Sequence, residues 1–457
     1  MPLRALLLMI LLTLFMVQGQ ETNLTLAKSV EMALENNPDL KIQKNTRKLA
    51  HYNYLQTYSG ILPRLNLSAG GGRFTQGATT YLGDVPIGVD TTGNAIYEQG
   101  IIEQEGSARN YYNMGLSFNW TFIDGFYSFF NIQKGILDDE SAELDYLAKR
   151  NNIILDVKNK FYDALKYQKL VKVGELAVAR SEEQLRKQRL AFQIGSATRL
   201  DTLKAHVSLN TDRAEYINNK NALRQAQYAL NLTLGQDPGN RIRVSDNGLP
   251  HFDDNYSLDN LYAETLSSNP SLMSAEIATE AFEQASNAAL TPFMPNLTFS
   301  YSYNRNQEEF GNVFTFDNID LDRYWSSTAG ISLNWNLFNG FSDYLNYEKA
   351  IIAERNQAIV KARTERNIKQ SLLAAYDNYQ SAIEVIKINE LNLESASEEY
   401  RLATERRIVG SATQLEVRDA QVNLTRAEQS LVEARFNALK ALAQIEELTG
   451  KGYQANE

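Results

Sequence analysis

From Ile368 the apolar and small residues advance by alternating steps of four and three: Leu372, Ala375, Tyr379, Ala382, Ile386, Asn389, Leu393, Ala396, Tyr400 and Ala403. After Gly410 the rhythm resumes through Val417, Ala420, Leu424, Ala427, Leu431, Ala434, Ala438, Ala441, Ile445 and Leu448. A sustained 3.5-residue period keeps one seam of a helix facing a partner. It predicts an antiparallel helical hairpin over 341–448, with Glu, Arg, Lys, Asn and Gln on the solvated flanks. A second hairpin is predicted over 126–235. Its outgoing arm, 126–193, would run about 100 Å and its return arm, 198–234, about 55 Å. A helix over 38–60 adds about 35 Å, so two shorter helices stacked end to end would match one long one. Residues 270–290 offer the same part beside the second hairpin.

Between the helices the period changes to two. Met114, Leu116, Phe118, Trp120 and Phe122 alternate with Gly115, Ser117, Asn119 and Thr121. Leu297, Phe299, Tyr301 and Tyr303 alternate with Asn296, Thr298, Ser300 and Ser302. Strands are predicted at about 64–75, 112–123, 295–304 and 327–338. Large apolar groups on one face and small polar groups on the other suit a membrane barrel, lipid outside and water within; a soluble sheet covering a core is the alternative. The joining segments are long and acidic, with Asp84, Asp90, Glu98, Glu103 and Glu105 in one and Glu308, Glu309, Asp317, Asp320 and Asp322 in the other.

These elements occur twice. Gly195-Ser196-Ala197-Thr198 returns as Gly410-Ser411-Ala412-Thr413, Asp124-Gly125-Phe126 as Asn339-Gly340-Phe341, and Asn37-Pro38 as Asn269-Pro270. The chain therefore divides into a first repeat over 20–235, a linker over 236–257, a second repeat over 258–450 and a tail over 451–457. The register change between copies puts extra residues of the first repeat between Pro63 and Gly115, in a loop where insertion costs least.

Composition narrows the setting. Residues 1–19 read as a secretory signal, an apolar run after Arg4 closing on Val17-Gln18-Gly19, with cleavage expected before Gln20. The chain has no cysteine, so neither a disulfide nor a lipid-bearing cysteine is available. A net charge of −10 and pI near 5.1 argue against nucleic acid. His51, His206 and His251 lie far apart without ligand spacing, so no metal site is expected, and no phosphate loop or nucleophile elbow is present. No cofactor and no enzymatic activity are expected. Four strands cannot close a barrel, and open edges are not tolerated in lipid, so the chain must pair with copies of itself.

With its twofold repeat, its strand-to-helix turns at Gly125 and Gly340, its Gly-Ser-Ala-Thr tips and its Asn-Pro openings, the chain resembles the outer-membrane efflux proteins of the TolC type. The resemblance covers nearly all of the mature sequence. It implies a homotrimer: a twelve-stranded barrel in the outer-membrane lipid, continuous with a periplasmic α-helical barrel. It also implies a periplasmic adaptor and an inner-membrane RND, ABC or MFS transporter as partners, and passive conduction of cargo in an efflux pump or type I secretion system. A soluble periplasmic coiled-coil adaptor is the competing reading; one hairpin and compact β-domains would be expected of it.

In such relatives the hairpin tips meet the adaptor and form the closed end of the tunnel, which marks Gly195, Ser196, Ala197, Thr198, Asp201, Gly410, Ser411, Ala412 and Thr413. Thr198 with Asp201 and Thr413 with Glu416 also have the spacing of a helix capping box, which accounts for the motif structurally; Asp201 departs from the usual Glu. Acids six and nine residues past the second tip glycine line the constriction in the family, and Glu416 and Asp419 stand there. The alternative is an acidic first helical turn, which covers Glu416 better than Asp419. The first repeat has Lys204 where the second has Asp419. Relatives latch this end with an Arg where this chain has Ala412, leaving Arg406, Arg407 or Arg418 as candidates. Tyr111, Tyr112, Trp120, Tyr324, Trp325 and Trp335 are candidate aromatic anchors at the bilayer interfaces.

Overall fold

The structure is a computed structural model that describes residues 22–252, 256–310 and 324–451. The signal segment, Asp317, Asp320, Asp322 and nearly all of the 451–457 tail lie outside the described residues. In chain order the elements are β1 (Thr22–Leu24), α1 (Leu26–Asn36), α2 (Pro38–Thr57), β2 (Arg64–Gln76), β3 (Thr79–Val89), β4 (Ala95–Gln104), β5 (Ser107–Asp124), α3 (Tyr127–Gln193) and α4 (Arg199–Thr233). They continue with β6 (Ile242–Val244), α5 (Leu258–Ser268), α6 (Pro270–Ala288), β7 (Asn296–Phe310), β8 (Trp325–Asn334), α7 (Ser342–Ile408) and α8 (Gln414–Leu448). The chain is mostly helical, and contacts divide it into two units: one of residues up to His51, Leu137–Glu280 and from Arg355 onward, the other of Tyr52–Ile136 and Ala281–Glu354.

In the helical unit α3 and α7 belong to helices of 67 residues each, and α4 and α8 have 35 each. The 3.5-residue seam is the buried one: Leu372, Ala375, Tyr379 and Ile386 of α7 pack with Leu431, Ala434, Ala438 and Ile445 of α8. A second core joins Ile154, Val157, Phe161 and Leu165 of α3 to Leu230 of α4 and Phe436, Leu439 and Ala443 of α8. α8 thus packs on both long helices.

The Asn-Pro openings prove to be joints. Asn37 Oδ1 accepts from Leu40 N at 3.1 Å, capping α2, while its Nδ2 donates to Thr233 O, in the last turn of α4, at 2.8 Å. Asn269 repeats the arrangement, with Oδ1 accepting from Leu272 N at 3.2 Å and Nδ2 donating to Leu448 O of α8 at 3.0 Å. One amide therefore satisfies orphan groups of two helix ends at once. Proline follows because the first helical position needs no N–H. Gly235 sits at φ +71° against this joint, where a Cβ would lie 2.5 Å from Asn36 O; Gly450 is its counterpart against Ser268 O.

In the other unit β2, β5, β7 and β8 form one antiparallel sheet in the order β2-β5-β7-β8. Its register sets apolar opposite apolar, as in Leu67↔Leu116, Trp120↔Phe299 and Phe299↔Ile331, and polar opposite polar, as in Ser117↔Ser302 and Thr121↔Thr298. Leu65, Leu67, Trp120, Phe122, Ile331 and Leu333 are exposed. The ends are marked by a repeated contact: Trp120 Nε1 donates to Ile61 O, and Trp335 Nε1 to Phe293 O, each at 3.0 Å.

The structure departs from the sequence expectations in several elements. The last strand runs 325–334 rather than 327–338, because Asn334 already faces Asn296, the first residue of β7. β5 runs further, from 107 to 124, since it has a neighbour on each side. The first acidic loop is a β-hairpin, β3–β4. The linker holds a strand that its sequence did not announce, β6, which pairs in parallel with β1. α1 and α5 precede the two Asn-Pro joints and were not expected.

Replacing Asn37 or Asn269 by Ala should each cost about 1–3 kcal/mol, the range for stranding a buried backbone group. The loss is expected as a lower denaturant midpoint of the helical circular dichroism signal. Gln at either position, one methylene longer, should not restore it.

Candidate functional site

Each hairpin tip is built from local chemistry. At the first, Gly195 takes φ +76°; its N–H donates to Phe192 O at 3.0 Å and Ser196 N to Ala191 O at 2.8 Å. At the second, Gly410 takes φ +77°, its N–H donates to Arg407 O at 3.2 Å, and Ser411 N donates to Arg406 O at 2.8 Å. This is the Schellman end of a helix, and the left-handed residue favours glycine because a Cβ clashes there. The serine hydroxyl adds a second donor to the same carbonyl, Ser196 Oγ to Ala191 O at 3.1 Å and Ser411 Oγ to Arg406 O at 3.2 Å. Thr198 and Thr413 then begin α4 and α8 as N-caps.

Both capping boxes are complete. Asp201 N donates to Thr198 Oγ1 at 3.2 Å and Thr198 N returns to Asp201 Oδ2 at 3.0 Å. Glu416 N donates to Thr413 Oγ1 at 3.2 Å and Thr413 N to Glu416 Oε2 at 3.3 Å. Aspartate thus serves as well as glutamate. The Thr198 hydroxyl, then its N–H, with Lys204 and Arg407 adding attraction, holds the Asp201 carboxyl below its ordinary range. Glu416 is engaged in its box, whereas Asp419 is exposed one turn further along α8. Ala412 is buried.

The three arginines have distinct partners. Arg406 Nη2 donates to Ser411 O at 2.9 Å and Arg407 Nη1 to Ala412 O at 3.4 Å, so both close carbonyls of their own tip. Arg418 reaches across to the first hairpin, where its two terminal nitrogens lie 3.0 and 3.3 Å from the Asp212 carboxylate. Asp212 also accepts from Ser181 Oγ, and Gln421 Nε2 donates to Ser181 Oγ at 2.8 Å. Ser181, Asp212 and Gln421 are all buried, so this node ties α3, α4 and α8 together behind the tips. A cavity of about 200 Å³ opens beside it, lined in part by Asp201, Lys204, Thr413, Leu415 and Arg418. Sequence reasoning singled out Arg418 but missed Ser181, Asp212 and Gln421. Asp212 and Arg418 each stand beside a seam, and no spacing within one helix links them.

The strand-to-helix turns share an uncommon backbone. Gly125 and Phe126 take φ +67° and +69°, and Gly340 and Phe341 take +68° and +65°. Two left-handed residues in succession start each helix, directly from β5 at the first copy and after an irregular stretch past β8 at the second. Asp124 or Asn339 caps the result: Ser128 N donates to Asp124 Oδ2 at 2.9 Å and Asp343 N to Asn339 Oδ1 at 3.3 Å. Phenylalanine in this region carries strain of order 1 kcal/mol that the cap and packing must offset. Among the described residues no group of three or more His, Asp or Glu is arranged to hold a metal, and no helix is long and apolar enough to cross a membrane.

A family model described as outer membrane efflux protein matches residues 29–236 and 261–451. The chain is 22% identical over 351 residues to the outer membrane efflux protein BepC of Brucella suis biovar 1, covering 74% of this chain and 72% of that one. It is 21% identical over 428 residues to the outer membrane protein TolC of Vibrio cholerae serotype O1, covering 93% and 90%. In fold it resembles CusC, whose crystal structures concern transmembrane channel formation, with a TM-score of 0.77 at 16% identity over 95% of this chain and 94% of that chain.

Arg418→Ala should destabilise the chain by about 3 kcal/mol, because it strands the Asp212 carboxylate in a buried site. The double change Asp212→Leu/Arg418→Met should recover most of that loss in the same unfolding measurement.

Proposed function

This chain belongs to the outer membrane efflux protein family, and from that footing we propose that it is the passive exit duct of a tripartite efflux pump or type I secretion system. It is an outer-membrane protein. Three copies join their four-stranded sheets into a twelve-stranded barrel, and their helices form a tunnel in the periplasm. Cargo passes without chemistry by this chain; an inner-membrane transporter supplies the energy and a periplasmic adaptor bridges the two.

The observation that carries the reading is the sheet. β2 and β8 are edges with exposed apolar side chains, and an edge in lipid leaves N–H and C=O groups at several kcal/mol each. Joining β2 of one copy to β8 of the next removes every edge. The helices offer parallel support. On α4, Leu200, Val207, Ala214 and Tyr228 fall on a seven-residue repeat with Leu203 and Ile217 between, and all are exposed. On α7, Ile352, Ile359 and Leu373 do the same. Each is a coiled-coil seam awaiting a helix of another copy. We also read the chain as a duplication, since α3 with α4 and α7 with α8 agree in length element by element.

At the periplasmic mouth the copies of Asp419, with Glu416 beside them, make rings of negative charge that favour cations. The tips, Gly195–Asp201 and Gly410–Thr413, meet the adaptor. The Arg418–Asp212 node joins two hairpins of one chain and does not by itself link neighbouring copies.

Membrane fractionation followed by electrophoresis with and without heating tests the duct: an outer-membrane band that runs as a trimer unheated and as a monomer after heating is expected. Recovery as a soluble monomer would sink the reading. In planar bilayers Asp419→Ala should lower cation selectivity several-fold, while Glu416→Gln, which keeps an acceptor for Thr413 N, should change it less.

A further inference from the structure

β3 and β4 continue the barrel strands beyond the rim. The two residue numbers of every pair add to the same total from Arg64↔Asn119 to Gln76↔Ser107, and again from Thr79↔Gln104 to Pro86↔Tyr97. The two strand pairs are therefore one ribbon, interrupted at Gly77-Ala78 on one strand and Glu105-Gly106 on the other and bulged near its tip between Pro86 and Gly88. A Cβ on Gly106 would lie 2.9 Å from Gln76 O, so the strands come too close at this break for a larger residue. β7 accompanies β5 as far as Arg109↔Phe310, just short of the break. Past it, among the described residues, the ribbon has no third strand.

That isolation is at odds with its surface. A two-stranded ribbon is marginal in water unless further strands cover an apolar face. Here both faces carry apolar side chains at the middle of the ribbon, with Asp84 and Glu103 interspersed on one and Glu98 on the other. One carries Leu82, Ile101 and Tyr97, which are 72%, 70% and 60% exposed; the other carries Tyr81, Val85 and Ile102. A ribbon lying on lipid, or on one partner, would have one face covered. In a closed ring each copy has two different neighbours, one on each side. The arm also has the necessary reach. Eleven residues of β3 extend about 35 Å, whereas a barrel of twelve strands spaced about 4.8 Å apart and tilted about 40° has a radius of about 12 Å. The arm grows from β2, the edge strand where one copy would meet the next.

We propose that the Thr79–Gln104 arms of three copies pack face to face around the symmetry axis and form a lid over the outer mouth. The proposal rests on the trimeric duct reading. Only the first repeat carries the insertion, so there are as many arms as chains.

The cysteine-free chain makes the test direct. In Leu82→Cys/Val85→Cys the two thiols stand on opposite faces of one arm and cannot meet within a chain. Treatment of the outer-membrane protein with a short bis-maleimide should convert monomers into covalent dimers and trimers that survive heating. A trimer on the unheated gel that yields only monomers after treatment and heating would overturn the lid and leave the duct standing. A monomer on the unheated gel would remove the duct itself. As a second measurement, residues 79–104 are replaced by Asn-Gly. Single-channel conductance of that trimer should rise at least about two-fold; an unchanged conductance would overturn the lid.

Discussion

A row of unpaired backbone N–H and C=O groups cannot stand in hydrocarbon, and the rest of this molecule follows from that constraint. Its sheet has four strands and two free edges, too few to curve closed on itself. Its helical layer has the same deficiency in another form, an exposed heptad seam on α4 and another on α7. Both deficits have one remedy. On the proposed trimeric reading, a single chain is an incomplete object in two materials at once, lipid and water, and the same neighbour completes it in each.

Coiled-coil seams made of alanine pack closely but discriminate poorly, because sliding by one heptad restores much the same contacts. The polar joints remove that freedom. Asn37 and Asn269 fit only where one helix ends as another begins, and Asp212, Ser181, Arg418 and Gln421 meet at only one setting of three helices. A buried ion pair adds little net stability over a well-packed apolar substitute. Its value here lies in register, since a shifted setting would leave the Asp212 carboxylate buried without its cation.

The long elements were legible in the sequence because their periods are long. Ten successive positions from Leu372 to Ala403 agree on one helical face, and the alternation from Met114 to Phe122 on one strand face. What escaped were features carried by few residues or by none of the local pattern. β3 contains Gly83, Asp84, Pro86 and Gly88, which read as loop, and its apolar residues fall on both faces so that no alternation shows. β1 and β6 have three residues each and exist only through each other. The extent of β8 depends on where β7 begins, which its own residues do not encode: Trp335 and Leu337 continue the alternation but have no strand opposite them. At the site, the capping boxes and tip glycines were legible because their partners lie three to five residues away. The Asp212–Arg418 pair, two hundred residues apart, was not.

The four-residue tip leaves nothing over. Gly195 and Gly410 are spent on a left-handed turn, Ser196 and Ser411 on a carbonyl of the preceding helix, and Thr198 and Thr413 on opening the next. Ala197 N donates to Ala191 O at 3.2 Å and Ala412 O accepts from Arg407, and both side chains are too small to say much to another molecule. The motif is therefore grammar: it builds the turn and leaves the residues beside it free to differ. On the proposed docking of the tips, whatever distinguishes one partner from another is spelled by the side chains that flank the motif, where Arg199 in one copy stands against Gln414 in the other and Lys204 against Asp419.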